Sequence, residues 1–204
     1  MKTKENKKIL LHKAINCLLN NKVCVLPTDT FYALSVKASS EQALKKLFKI
    51  KNRSHDKPIP LLISNLKDLE KFCDISSPVI NNIAKKFWPG PLTIVLPLKF
   101  KMPKEINNNS GFIGVRVPNH PFTLEVISKL GEPITGTSAN ISNKPPSKNI
   151  NDVINYFNNS VCSYVEIPCG KENLSSTVIK IDNKRGVDIL REGPISLEDI
   201  NSVI

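Results

Sequence analysis

One pattern constrains this chain more than any other: short apolar runs that stop abruptly at islands of small polar residues. "KVCVL" runs into "PTDTFY", "GFIGVRVP" into "NHP", and "PIT" into "GTSANIS". Each run is too short for a buried helix and is bounded by Pro, Gly, Asn or Ser, so it reads as a strand. By the same reasoning "IPLLIS", "LTIVLPL", "CSYVEI", "STVIKI" and "VDILR" are strands.

Between them the apolar spacing changes to that of helices. Ile9, Leu10, Ala14, Cys17 and Leu18 form a stripe within a helix from Glu5 to Asn20. Ser39 or Ser40 caps a helix through about Lys51, and Ser64 caps "NLKDLEKFC". Ser77-Pro78 opens a helix to Phe87, broken by "WPGP". Further helices are expected from Pro121 to Leu130 and from Ile150 to Phe157. A short last one is expected at Ser196 and Asp199, whose spacing suits a capping pattern. Strands and helices interleave without strict β-α-β regularity. The expectation is therefore a single α/β (α+β) domain over residues 1–204, around a mixed, twisted sheet.

Composition narrows the function classes. With 204 residues and 40% hydrophobic content the chain can bury a full core unaided. No apolar run approaches a membrane span, and the basic, amphipathic start lacks the continuous apolar region of a signal peptide. The chain reads as cytoplasmic, with no membrane partner. Five cysteines without a C-x-x-C pair or a Cys/His cluster argue for reduced, mostly buried thiols rather than zinc or redox chemistry. There is no phosphate-binding G-x-x-x-x-G-K-[ST], no G-x-G-x-x-G and no nucleophile elbow. The formal net charge of +11 suits nucleic acid, nucleotides or acidic surfaces. It equally suits a Lys/Asn-rich solvated exterior.

What remains for chemistry is the set of polar islands. In "PTDTFY", Thr28 and Thr30 are placed to hydrogen-bond a small ligand, while Asp29 orders the turn; a turn satisfying its own backbone is the plainer alternative. "KIKNRSHDKP" gathers Lys49, Lys51, Arg53, His55 and Lys57 at a helix end, either to complement the helix dipole or to clamp phosphate. Arg116, alone in an apolar strand, needs an anion, whether an internal carboxylate or a ligand. Thr135 to Asn140 forms a small-residue loop that a ligand approaches closely, or a polar turn. "SSTV" and "LREGP" add Ser176 and Arg191.

In their order, "PTDTFYAL", "KNRSHDKP", "WPGPLTIVL", "GVRVPNHP", "TSANIS", "SSTVIKI" and "ILREGPI" resemble the YrdC-like threonylcarbamoyl-AMP synthases, over about residues 8–196. The resemblance implies a YrdC-like twisted mixed sheet with flanking helices around a large basic cavity. It implies the conversion of L-threonine, bicarbonate and ATP to L-threonylcarbamoyl-AMP and pyrophosphate, with Mg2+ accompanying ATP. The product would serve threonylcarbamoyladenosine formation beside the anticodon of tRNA, with tRNA and the downstream threonylcarbamoyl-transferase as further partners. By the same resemblance Thr30, Arg116 and Ser176 would hold threonine, and Lys51, Arg53, Lys57, Ser138, Asn140 and Arg191 would hold ATP and its phosphates. No residue would act as a covalent nucleophile, and no protein metal site is implied. Ala33, Ser54, Asn143 and Ser175 stand where the family usually has Gly, Pro, Gly and Pro. The chain resembles the short form, without an extra C-terminal domain. An RNA-binding module without synthase activity, and a relative that carbamoylates a different amine, are the competing readings. The aromatic content of 6% and the lack of a base-stacking pattern speak against the first.

Overall fold

The computed structural model describes residues 2–54, 57–182 and 186–204, and the side chains of these residues apart from 2–4 and 182. Ten strands and eight α-helices are found among them. The first half holds α1 (Lys2–Leu19), β1 (Cys24–Leu26), β2 (Ala33–Ser35), α2 (Glu41–Lys51), β3 (Leu61–Leu62), α3 (Leu66–Leu69), α4 (Pro78–Phe87) and β4 (Leu92–Pro97). The second holds α5 (Lys104–Asn107), β5 (Phe112–Arg116), α6 (Pro121–Leu130), β6 (Ile134–Thr135), β7 (Thr137–Ser138), α7 (Ile150–Phe157), β8 (Ser163–Tyr164), β9 (Thr177–Asp182), β10 (Gly186–Arg191) and α8 (Leu197–Asn201).

The strands form two mixed sheets, β7-β2-β1-β8 and β10-β9-β4-β5-β3-β6. In the first, β1 runs antiparallel to β2 and parallel to β8. Its residues are buried on both faces. Cys24 and Leu26 join the cluster of Leu11, Ala14, Leu18, Phe122 and Val126 under α1 and α6. Val25 joins Leu34, Val36, Leu44, Leu47 and Phe48 on the other side. This two-sided burial explains why "KVCVL" is continuously apolar rather than alternating. In the second sheet, Ile94, Leu96, Ile113, Val115 and Ile179 face the main core. Thr93, Val95, Gly114, Arg116 and Val178 alternate onto the opposite face, as a period of two requires.

Local chemistry sets the element ends. The Ser40 hydroxyl accepts from the Ala43 N–H (3.2 Å) at the start of α2, whose Ala43, Leu44, Leu47 and Phe48 are buried. Burying such Leu and Phe side chains stabilises by about 1.5–3 kcal/mol each. Asn65 rather than Ser64 caps α3, because the Ser64 hydroxyl donates to the Asp68 carboxylate at 2.6 Å. Ser196 and Asp199 form the expected capping box of α8. Three elements were not expected: β2, α5 and β7. No helix of the described residues is long and apolar enough to cross a membrane. Cys17, Cys24 and Cys73 are buried, Cys169 is half-buried and Cys162 is exposed; all five are unpaired thiols.

The two sheets meet at one peptide. β6 belongs to the larger sheet and β7 to the smaller, with Gly136 alone between them. A Cβ on residue 136 would stand 2.6 Å from Leu62 Cγ, so any other residue at the crossing would have to displace the buried Leu62 side chain. The Thr135 N–H donates to Val36 O (2.9 Å) and the Thr135 hydroxyl accepts from the Val36 N–H (3.1 Å), tying the sheets beside the crossing.

Candidate anion-binding cavity

Between the sheets lies a cavity of about 290 Å³. Thr30, Arg53, Arg116, Ser138, Ser176 and Arg191 all line it, although they come from separate parts of the chain. Lys51 and Asn140 stand one layer behind the wall, and Lys57 is exposed away from it. His55 lies outside the described residues.

Arg116, 6% exposed, leaves β5 with its guanidinium toward the end of β1. Its Nε–H donates to Gly90 O (2.9 Å), one terminal nitrogen donates to Thr30 Oγ1 (3.3 Å), and the other is ion-paired with Asp29 Oδ1. The anion that the lone arginine needs is therefore, first, an internal carboxylate. Asp29 Oδ1 also accepts from the Asn119 N–H at 3.0 Å, so one oxygen fixes both the arginine and the turn after β5. Three of the guanidinium's five N–H groups are engaged, and two remain for a ligand.

The hydroxyls beside it are ordered in sequence. Thr28 Oγ1 donates to Phe31 O (2.7 Å) and accepts from the Thr30 N–H (3.1 Å). With its one proton so used, it takes the proton of Thr30 Oγ1, 3.0 Å away. Thr30 Oγ1 then accepts from Arg116. The "PTDT" turn thus satisfies its own backbone and also presents Thr30, so the two readings of that island are not exclusive.

On the far wall Arg191 Nε and Nη2 both donate to Ser176 O (3.0 and 2.7 Å), and Nη2 also reaches Ser176 Oγ at 3.0 Å. Ser176 Oγ lies 2.9 Å from Thr93 Oγ1 on β4. Burial and the nearby Arg116 charge push the Arg191 pKa down. Thr137, inside the expected small-residue loop, lines the cavity, and so does Thr93, which sequence reasoning missed. Thr93 carried a signal, being the one hydroxyl inside the otherwise apolar "LTIVLPL".

Lys51, 2% exposed, points inward from the last turn of α2. Its Nζ donates to Ser138 O (2.5 Å), Asn140 O (2.9 Å) and Asn140 Oδ1 (2.8 Å). Asn140 Oδ1 also accepts from the Ser138 hydroxyl at 2.6 Å, and Asn140 Nδ2 donates to Lys144 O. Lys51 is the bolt that holds the "TSAN" loop to α2. Arg53, at the cavity edge, donates to Lys57 O (3.1 Å) and Pro58 O (2.9 Å). Burial, then the Arg53 charge, pushes the Lys51 pKa from 10.5 down to about 7. Between those two values the unfolded chain holds the proton and the folded chain does not. The shift is therefore a cost of burying the charge that is full below about 7, shrinks as pH rises and is gone above about 10.5. Wild type is expected to gain stability relative to Lys51→Met as pH rises through that window. Parallel urea titrations of the two proteins check it, and a pH-independent difference would refute it.

Two family departures find physical answers. Ala33 sits in β2, outside the left-handed region, and needs no glycine. Asn143 has φ 68°, the left-handed turn that asparagine tolerates. Ser175 lines the cavity; nothing in the structure explains Ser54.

The cavity is thus edged by three arginines and a series of hydroxyls, and no carboxylate lines it among the described residues. Nor do the described residues contain a cluster of three His, Cys, Asp or Glu side chains able to hold a metal. Fold and site together define an α/β protein with an arginine- and hydroxyl-lined cavity between two mixed sheets. The comparisons agree and are more specific. The Sua5/YciO/YrdC family model, described as "Telomere recombination", matches residues 16–193. The chain belongs to that family.

Among relatives, it is 33% identical over 191 residues to the threonylcarbamoyl-AMP synthase of Pyrococcus abyssi (strain GE5 / Orsay), covering 94% of this chain and 56% of that protein. It is 33% identical over 198 residues to a putative threonylcarbamoyl-AMP synthase of Methanocaldococcus jannaschii, covering 96% of this chain and 91% of that one. The chain thus spans little more than half of the first relative and nearly all of the second. Its fold matches P. abyssi Sua5 complexed with L-threonine at a TM-score of 0.90 and 32% identity, over 95% of this chain and 57% of that one. E. coli YciO, at 21% identity and a TM-score of 0.83, shares the fold.

Proposed function

We propose that this chain makes L-threonylcarbamoyl-AMP and pyrophosphate from L-threonine, bicarbonate and ATP. One observation carries the reading: Thr30, Arg116, Ser176 and Arg191, from four distant segments, face a single cavity. The names of the relatives and the threonine-bound P. abyssi neighbour support it.

In this reading the threonine carboxylate takes the two remaining Arg116 N–H groups. The Thr30 and Ser176 hydroxyls orient the rest of the amino acid. The threonine amine attacks the bicarbonate carbon and water leaves, giving a carbamate, whose oxygen then attacks the α-phosphorus while pyrophosphate leaves. Arg53, Arg191 and the Ser138 hydroxyl meet the charge on the phosphates, so no protein nucleophile is needed. Lys51 and Asn140 act by holding Ser138, and Lys57 by its carbonyl, which accepts from Arg53. At about 290 Å³ the cavity is at the small end of ligand pockets, roughly 300–1,000 Å³. It suits the reacting ends of the substrates, with the nucleoside along its open side. Magnesium belongs to the substrate, as the counter-ion of ATP. The tRNA, the downstream transferase and a cytoplasmic setting belong to the same proposal.

The test is pyrophosphate release from ATP and bicarbonate, with and without threonine. Release that requires threonine, together with a threonylcarbamoyl-AMP adduct by mass spectrometry, is the expected result. Release indifferent to threonine overturns the reading, and equal release with serine moves it to a different amine.

A further inference from the structure

A second hollow, of about 350 Å³, lies on the outer flank of α2. Lys46 and Lys49 line it from one helix face, three residues apart, and both are exposed. Lys22 enters from the turn after α1, just beyond the left-handed Asn21. Ser160 and Cys162 complete it from the segment between α7 and β8.

The charge there is unbalanced. No carboxylate lines the hollow, and none of the three lysines makes an ion pair among the described residues. Unpaired lysines are common on this surface, where only Lys7, Lys37, Lys45 and Lys71 are ion-paired among the described residues; what sets these three apart is the hollow they share. Three lysines from two separate segments around a common concavity raise the positive potential there, which draws anions into it. Lysine supplies mobile point charges that follow phosphate oxygens, and the Ser160 hydroxyl adds a neutral donor.

We infer that this hollow is a second anion site, taking phosphate oxygens from a free oligophosphate or from a nucleic-acid backbone. It is separate from the cavity between the sheets and does not depend on the function proposed for that cavity.

Cys162 provides a local reporter, since its exposed thiol lines the hollow while Cys17, Cys24 and Cys73 are buried. The experiment measures the alkylation rate of Cys162 by peptide mass spectrometry. One arm adds inorganic pyrophosphate and the other a short single-stranded oligouridylate. Slower alkylation in either arm is expected, and the arm that responds identifies the source of the phosphate. In the RNA arm three lysines at about 0.7 each set a log–log salt slope of about −2, roughly a twentyfold loss of affinity from about 50 to about 200 mM salt. Lys22→Gln with Lys46→Gln should lower that slope to about −0.7 and remove protection by pyrophosphate. Both residues are exposed, so melting temperature and threonine-dependent pyrophosphate release should stay at wild-type values. The inference is overturned if neither probe slows alkylation, or if the double variant is protected as well as wild type.

Discussion

Replacing Arg116 with alanine is expected to destabilise the protein by about 3–5 kcal/mol, because it strands a buried carboxylate. Asp29 is 6% exposed, and its ion pair with Arg116 is the one among the described residues with both partners buried. The same change removes the N–H groups proposed for the threonine carboxylate, so threonine affinity should fall further than ATP affinity. The two effects separate in Asp29→Leu with Arg116→Met. That double variant carries no stranded charge, so it should regain much of the lost stability, short of about 1–3 kcal/mol for the Asn119 N–H left unpaired. It should still fail to bind threonine. Urea denaturation and titration calorimetry on the three proteins check this. Equal loss of both ligands in Arg116→Ala would remove the carboxylate assignment.

Gly193→Ala is expected to have the next largest effect. A Cβ at residue 193 would stand 2.4 Å from both Ser175 O and Thr177 N, and 2.8 Å from the Ser176 carbonyl carbon. All three are main-chain atoms, so no side-chain rotation relieves the overlap. Thr177 is held in place from two other directions. Its N–H donates to Pro91 O (2.9 Å), and its hydroxyl donates to Ile195 O (2.9 Å) and accepts from the Ile195 N–H (3.0 Å). The strain should therefore be relieved by moving the "REG" turn away, which pulls Arg191 from Ser176. A loss of about 1–3 kcal/mol is expected, the range for overpacking a tight site. Threonine and ATP binding should weaken together. An unchanged denaturation midpoint with full affinity would show that the contact is looser than described.

The parts legible in sequence are those whose side chains must alternate or cap. β4, β5, β9 and β10 were visible because their apolar runs are long enough to separate a core face from a cavity face. The helices with an apolar stripe and a capping residue were visible for similar reasons. β2 and β7 were not. β2 is three buried residues immediately after a polar island, and β7 is a threonine and a serine whose strand character comes only from pairing with β2. In the site, the motif order brought out the residues but not their partners. Asp29 and Arg116 are 87 positions apart, and no local pattern joins them. Lys51 looked like one more cation in a basic run, whereas burial against the "TSAN" loop sets it apart from Lys49 and Lys57.

All six non-glycine residues with positive φ among the described ones are asparagines: Asn21, Asn52, Asn108, Asn109, Asn143 and Asn158. Glycine would relax these torsions, but it also widens the ensemble of the unfolded chain. Asparagine accepts a small torsional penalty in the native state and restricts the unfolded one. A chain with only eight glycines thereby keeps its tight reversals while giving up less conformational entropy on folding.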